Sequence, residues 1–152
     1  MSDGYAFTHD PQRCLMCYSC EVACKQWKGI APGTFKLRRV YETTSGTFPS
    51  VTRTFHSVAC QHCAEPPCIA ACPPGAISKR ADDGIVVVDR EKCDGCRQCL
   101  EACPFGAPEF DQDGVLQLCD LCLDRLAEGG RPICSDACPT GALRYAGPPA
   151  RS

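Results

Sequence analysis

Cys93-Asp-Gly-Cys96-Arg-Gln-Cys99-Leu-Glu-Ala-Cys103-Pro104 packs four cysteines into eleven residues, and its spacing, C-x2-C-x2-C-x3-C-P, decides how the rest of the chain is read. Three more groups of four lie around it. Cys14, Cys17, Cys20 and Cys24 repeat the spacing with Lys25 in place of the proline. Cys60, Cys63, Cys68 and Cys72 widen one gap to x4, and Cys119, Cys122, Cys134 and Cys138 widen the same gap to x11. All sixteen cysteines fall into these groups. Three of the groups end alike, as Cys72-Pro-Pro-Gly-Ala76, Cys103-Pro-Phe-Gly-Ala107 and Cys138-Pro-Thr-Gly-Ala142, so a repeated turn follows each. The proline stops a helix there, and the glycine permits the left-handed backbone of a sharp exit.

The quoted spacing is the bacterial ferredoxin run, in which three close thiolates hold one cubane and the fourth reaches the neighbouring cluster. Four groups of four therefore imply four 4Fe-4S clusters. Two other uses of cysteine compete. A disulfide scaffold is suggested by the high cysteine content, but Met1 to Asp10 has neither a basic nor an apolar signal region. Disulfide frameworks also space their partners less regularly than triplets at i, i+3, i+6. Zinc draws its four ligands as two pairs from separated knuckles, which the triplets do not suit.

At 152 residues the chain has the size of one domain or two very small ones. Units this small bury too little apolar surface to stand alone, so metal binding is expected to supply much of the folding free energy. The formal net charge of −2 treats every thiol as neutral. Sixteen thiolates and four oxidised cores of about +2 each take it to about −10, and four added electrons to about −14. Arg13, Lys25, Lys92, Arg97 and Arg125 lie within or beside the groups as candidate counter-charges, although solvated surface charge is the ordinary role of each. Nucleic acid is an unsuitable partner, because Arg38-Arg39 is too short to make a basic run. Ile85 to Val88, the longest apolar stretch, is far too short to insert in a bilayer.

Short β-prone segments precede two of the groups, Gly4 to Thr8 and Gly84 to Val88. Ala76 to Lys79, a turn over Ala81 to Gly84, and Ile85 to Val88 predict a hairpin. The fold class is α+β: two bacterial-ferredoxin-like (2x4Fe-4S) units, the inner one inserted into the outer one, with short strands, short helices and many loops. Residues 53–110 form the inner unit, and 1–52 with 111–152 form the outer. Tyr5 to Thr8 and Leu143 to Tyr145 are expected as outer strands. Phe35 to Tyr41 is expected to pair with Val115 to Leu118, and Thr43 to Pro49 reads as a loop. Short helices are expected between the third and fourth cysteines, as over Glu21 to Lys25, and over Leu121 to Glu128.

Beyond the cysteines, Tyr5-x-Phe7, Arg13-Cys14, Cys20-Glu21-x-Ala23-Cys24-Lys25, Arg38-Arg39-Val40-Tyr41-Glu42, Cys60-x-His62-Cys63 and Cys103-Pro104-x-Gly106-Ala107-Pro108 complete a pattern. Through it the whole chain resembles the four-cluster iron-sulfur subunits of molybdenum and tungsten pterin oxidoreductases, of the dimethyl sulfoxide reductase, polysulfide, thiosulfate and formate type. The resemblance implies four ligand sets: Cys14, Cys17, Cys20 with Cys138; Cys119, Cys122, Cys134 with Cys24; Cys60, Cys63, Cys68 with Cys103; and Cys93, Cys96, Cys99 with Cys72. Some relatives carry a 3Fe-4S cluster where the residue matching Cys96 is not cysteine. Cysteine stands there in this chain, so the resemblance implies four cubanes.

The expected function is an electron relay, with catalysis left to a molybdenum- or tungsten-pterin partner. A second redox subunit, flavin- or quinone-linked, and further copies of the chain are the other expected partners. Many relatives extend well past the last group, whereas this sequence stops fourteen residues after Cys138. That points to a soluble complex, such as that of a tungsten aldehyde oxidoreductase, rather than to a membrane quinone subunit. The alternatives are a polyferredoxin serving a flavin- or hydrogenase-type complex, and a cluster-based redox sensor. An enzyme with its own cluster site is disfavoured, because sixteen ligands for four cubanes leave no iron open. A cytoplasmic address is expected, with periplasmic export on a partner as the alternative. His62 is a candidate donor to a cluster sulfur, His9 and His56 read as surface or strand residues, and Tyr18, Trp27 and Phe105 are expected to keep water from the clusters.

Overall fold

Helix length in this chain follows the residue after each group's last cysteine. Lys25 lets the first helix, α1 (Ser19–Lys28), run for ten residues until Gly29 caps it in the left-handed region, at φ 66. Where Cys-Pro ends the group the helix is four or five residues long. The structure, a computed structural model, describes residues 6–148. Its order is β1 (Phe7–His9), α1, β2 (Arg39–Thr47), β3 (Ser50–Val58), α2 (Pro67–Ala70), β4 (Ile77–Lys79), β5 (Val86–Val88), α3 (Gln98–Ala102), β6 (Glu109–Phe110), β7 (Leu116–Gln117), α4 (Leu123–Ala127), α5 (Ile133–Asp136) and β8 (Leu143–Tyr145). This is an α+β arrangement of short strands and helices.

Among the described residues the strands form four antiparallel pairs. β1 pairs with β8, Phe7 opposite Tyr145, which brings the two ends of the chain together. Tyr5, expected in the first strand, lies outside the described residues. The hairpin expected after the second group is present as β4 and β5, Ile77 opposite Val88.

Two expectations are corrected. Val115 to Leu118 does not pair with Phe35 to Tyr41: β7 pairs with β6, because Asp111 closes a tight turn by accepting the Asp113 and Val115 N–H groups at Oδ1 (both 3.0 Å). Thr43 to Pro49 is not a loop: β2 and β3 form one nine-residue ladder from Arg39–Val58 to Thr47–Ser50. Its threonines are β-formers suited to a solvent-facing ladder, and the turn is confined to Phe48-Pro49, with a cis peptide between them. Two helices also differ in extent. α1 begins before Glu21 and ends after Lys25, whereas α4 begins only at Leu123 because Leu121 and Cys122 are both left-handed.

β5 joins two cores by alternation. Ile85 and Val87 pack with Ala6, Phe7, Val40, Leu121 and Leu143, whereas Val86 and Val88 pack with Ile77 and Leu116. Successive side chains of a strand point to opposite faces, so this apolar run is buried on both. α1 packs on α5, and α2 packs on α3. The end of α1 is tied to residues 120–124 by Trp27, whose indole N–H donates to Asp124 (2.8 Å), and by Lys28 paired with Asp120 (2.8 Å).

Candidate metal centres

The residue before the second cysteine has a left-handed backbone in every group: Met16 (φ 54), His62 (φ 48), Gly95 (φ 73) and Leu121 (φ 58). Three of the four are not glycine, and left-handed backbone costs such residues about 1–2 kcal/mol. Recurrence at one loop position means that the fold enforces it, curling each C-x2-C loop around what its thiols hold. Gly95 is the tightest case, since a Cβ there would lie 2.7 Å from the Gly114 carbonyl oxygen. Gly95→Ala is therefore expected to destabilise the chain by about 1–3 kcal/mol and to lower iron occupancy selectively at Cys93, Cys96 and Cys99. Thermal melts with iron analysis check this, and an unchanged melt refutes the packing argument.

Distant segments bring the thiols together. One small cavity is lined by Cys14, Cys17, Cys20 and, from 118 residues further on, Cys138, with Met16, Tyr18 and Leu143 among its walls. A second is lined by Cys60, Cys63, Cys68 and Cys103, walled by Pro66, Pro104, Phe105 and Leu118. Of the other eight thiols, all but Cys93 show a neighbour through charge. Burial and then Cys134 raise the Cys24 thiol to about 12, with Cys122 adding to the rise. Burial raises Cys99 to about 11, with Cys72 and Cys96 adding to it. Cys119 is pushed well above its ordinary value by desolvation and then by Cys134 and Cys60.

Backbone N–H groups already point at the sulfurs. In the repeated turn Ala76 N–H donates to Cys72 Sγ (3.3 Å) and Ala107 N–H to Cys103 Sγ (3.5 Å). Leu143 donates to Cys138 (3.4 Å), Leu116 to Cys93 (3.4 Å) and His62 to Cys60 (3.5 Å). At Cys138 burial works upward, but Leu143 N–H, the Thr140 hydroxyl and further N–H groups outweigh it and lower the thiol. All sixteen cysteines are free. Among the described residues no three His, Cys, Asp or Glu side chains converge on a single ion. Thiols ringing apolar-walled cavities, with N–H donors aimed at sulfur, fit a polynuclear iron-sulfur core.

The sequence matches the 4Fe-4S dicluster domain over residues 51–147. The chain belongs to this family. It is 43% identical over 154 aligned positions to one of the chains of the anaerobic dimethyl sulfoxide reductase of Escherichia coli strain K12, covering 95% of this sequence and 74% of that relative. It is 38% identical to the thiosulfate reductase electron transfer subunit PhsB of Salmonella typhi (95% and 77% covered) and 38% identical to one of the subunits of the sulfite dehydrogenase of Allochromatium vinosum (92% and 67% covered). As a 4Fe-4S dicluster protein with sixteen cysteines in four groups, it carries four 4Fe-4S clusters.

Four of the five candidate counter-charges have partners other than the thiols. Arg125 pairs with Asp136 (2.7 Å) and covers the Trp27 ring at 4.9 Å, Arg97 covers Phe110 at 4.8 Å, Lys92 pairs with Asp89, and Lys25 donates to the Gly33 carbonyl (2.6 Å). Trp27 thus packs under Arg125 and walls neither cavity, whereas Tyr18 and Phe105 each wall one. His9 also walls the first cavity, from β1, and His56 stacks on Tyr41 at 4.8 Å.

His62 is fully buried. Its Nδ1 accepts the Val86 N–H (3.0 Å), which puts the ring proton on Nε2, and burial lowers it to about 4, so it is neutral near pH 7. Nε2 has no hydrogen-bond partner. Among the described residues the buried cation is Arg38, which sequence reasoning counted only as half of a short basic pair. Its flanks, Leu37 and Val40, are apolar and buried, the one sign of its position that the sequence offers.

Proposed function

We propose that this chain is the electron-relay subunit of a molybdenum- or tungsten-pterin oxidoreductase. The observation that carries the reading is the assembly of four-cysteine sets from remote segments, supported by relatives whose names are those of reductase and dehydrogenase subunits. The ligand sets are Cys14, Cys17, Cys20, Cys138; Cys119, Cys122, Cys134, Cys24; Cys60, Cys63, Cys68, Cys103; and Cys93, Cys96, Cys99, Cys72. The first two belong to an outer unit (1–52 and 111–152), closed by β1 and β8, and the last two to an inner unit (53–110) inserted in it. The ladder of β2 and β3 spans that boundary.

When bound, each cluster supplies a one-electron couple. The chain fixes order and environment. Cys60 adds to the rise of the buried Cys119 thiol, which supports placing the 60/63/68/103 set next to the 119/122/134/24 set where the units meet. The other two sets then lie at the ends, where Cys17 and Cys96 are the exposed cysteines among the sixteen. Such an array has a solvent-facing terminus for each of two partners, and its middle is shielded by Leu121, His62 and Val86.

The pterin subunit is the partner at one terminus, with molybdenum favoured by the dimethyl sulfoxide reductase relatives and tungsten the alternative. A flavin- or quinone-linked subunit is the partner at the other. No helix among the described residues is long and apolar enough to cross a membrane. The proposed address is cytoplasmic, with export on a partner as the alternative. Anaerobic purification of the native complex with metal and sulfide analysis tests the reading. About sixteen irons per copy beyond those of the partner, with molybdenum or tungsten, is the expected result. Sixteen irons with neither metal would refute the pterin link and point to a flavin or hydrogenase partner.

A further inference from the structure

Arg38 lies one residue before β2 and is 2% exposed, and the hydrogen-bond partner of its guanidinium is a serine. Its Nη1 donates to Ser57 Oγ (3.1 Å), which in turn lies 3.3 Å from Cys20 Sγ. The guanidinium sits 4.4 Å over the Phe7 ring, and Nη2 is buried without a partner. Glu21, the buried carboxylate, is engaged elsewhere, by Lys36 (2.9 Å) and the Val40 N–H (3.0 Å). A buried cation requires an anion or a dense set of acceptors. Those facing Arg38 are sulfurs: burial opposes its charge, but Cys134, Cys119, Cys20 and Cys24 together outweigh that opposition.

These four cysteines belong to both proposed ligand sets of the outer unit. Among the described residues Arg38 is the only buried cation, and the buried imidazole at the edge of the inner sets, His62, accepts the Val86 N–H at Nδ1 (3.0 Å) and so carries a proton on one nitrogen only. Each electron accepted adds a negative charge, which a fixed cation in a low-dielectric interior stabilises. A hydrogen bond to a ligating sulfur acts in the same direction.

We infer that Arg38 is the resident counter-charge of the two outer-unit clusters, acting directly and through Ser57 on Cys20, and that it raises their reduction potentials while leaving the inner pair largely unaffected. The inference rests on the proposed ligand sets. Its consequence is a bias that gathers electrons at the outer end of the relay. As a positioning residue for charge, Arg38 has a redox signature that a merely structural arginine lacks.

Potentiometric titration of the intact complex, followed by electron paramagnetic resonance, tests it, with cluster signals assigned by Cys17→Ser and Cys96→Ser. Arg38→Gln is expected to lower two of the four potentials, each by at least about tenfold in the reduction equilibrium, or 59 mV for one electron. Arg38→Lys should restore most of the shift. Ser57→Ala retains the cation and should lower, by less, only the cluster that includes Cys20. Equal shifts at all four clusters, or none, overturn the inference. So does an unshifted Ser57→Ala beside an Arg38→Gln variant that fails to assemble, because Arg38 would then be structural. Wild-type protein with far fewer than about sixteen irons would instead overturn the ligand sets themselves.

Discussion

Removing iron anaerobically with a chelator is expected to abolish this fold. Among the described residues twenty-one apolar side chains are buried, of which seven are cysteine and five alanine; only nine are the size of valine or larger. Two-stranded pairs are marginal alone, and every sheet among the described residues has two strands. α2, α3, α4 and α5 have four or five residues each, far below the length at which a helix persists unaided. Against that small core stand the left-handed residues Met16, Tyr18, His62, Arg97, Leu121 and Cys122. Metal ligation is the remaining large favourable contribution. Structural metal sites bind with on the order of 10 kcal/mol, comparable to the ~5–15 kcal/mol net stability of a whole domain. Far-ultraviolet circular dichroism and amide proton dispersion of the apo chain should therefore report a largely unfolded protein, with restoration on anaerobic reconstitution. A cooperative thermal transition in the apo chain would show that the apolar core suffices.

Chemistry was more legible in this sequence than backbone. Thiol spacing alone indicates iron-sulfur chemistry, because a cluster needs ligands at fixed intervals. The Cys-Pro-x-Gly-Ala repeat foretells three helix stops that the structure contains. The ladder of β2 and β3 was obscured because Thr43, Thr44, Ser45 and Gly46 have loop composition, and only the facing residues Val51 to Thr54 make them a strand. A two-residue strand such as β7 carries too little periodicity to announce its partner. Left-handed Met16, His62 and Leu121 were hidden because only glycine advertises that conformation, so Gly95 was the single visible member of the set. Arg38 was hidden for a different reason: burial of a cation is decided by what surrounds it in space, and its sulfurs come from Cys20, Cys24, Cys119 and Cys134, far apart in the chain.

Cutting the relay at either terminus should separate electron transfer from catalysis and show which end faces the catalytic partner. Cys96→Ser and Cys17→Ser each alter an exposed cysteine proposed as a ligand, so neither variant disturbs the buried packing of Cys20, Cys99 or Cys134. Each is expected to change one cluster and to slow substrate-driven electron flow through the complex by at least about tenfold, or about 1.4 kcal/mol in the rate-limiting barrier. Artificial-dye activity at the catalytic partner should remain within about twofold of wild type, because that assay bypasses the chain; a twofold change is well under 1 kcal/mol. The two variants should differ in what the catalytic partner can reduce. If the terminus containing Cys96 docks on that partner, Cys96→Ser leaves the remaining clusters oxidised when electrons enter there, whereas Cys17→Ser leaves three reducible. The opposite pattern reverses the docking. Rapid-freeze electron paramagnetic resonance reads the difference directly, since the altered cluster acts as its own marker. Loss of dye activity with pterin and metal still bound would contradict the relay, because the chain would then contribute to the chemistry at the catalytic site rather than to the transport of its electrons.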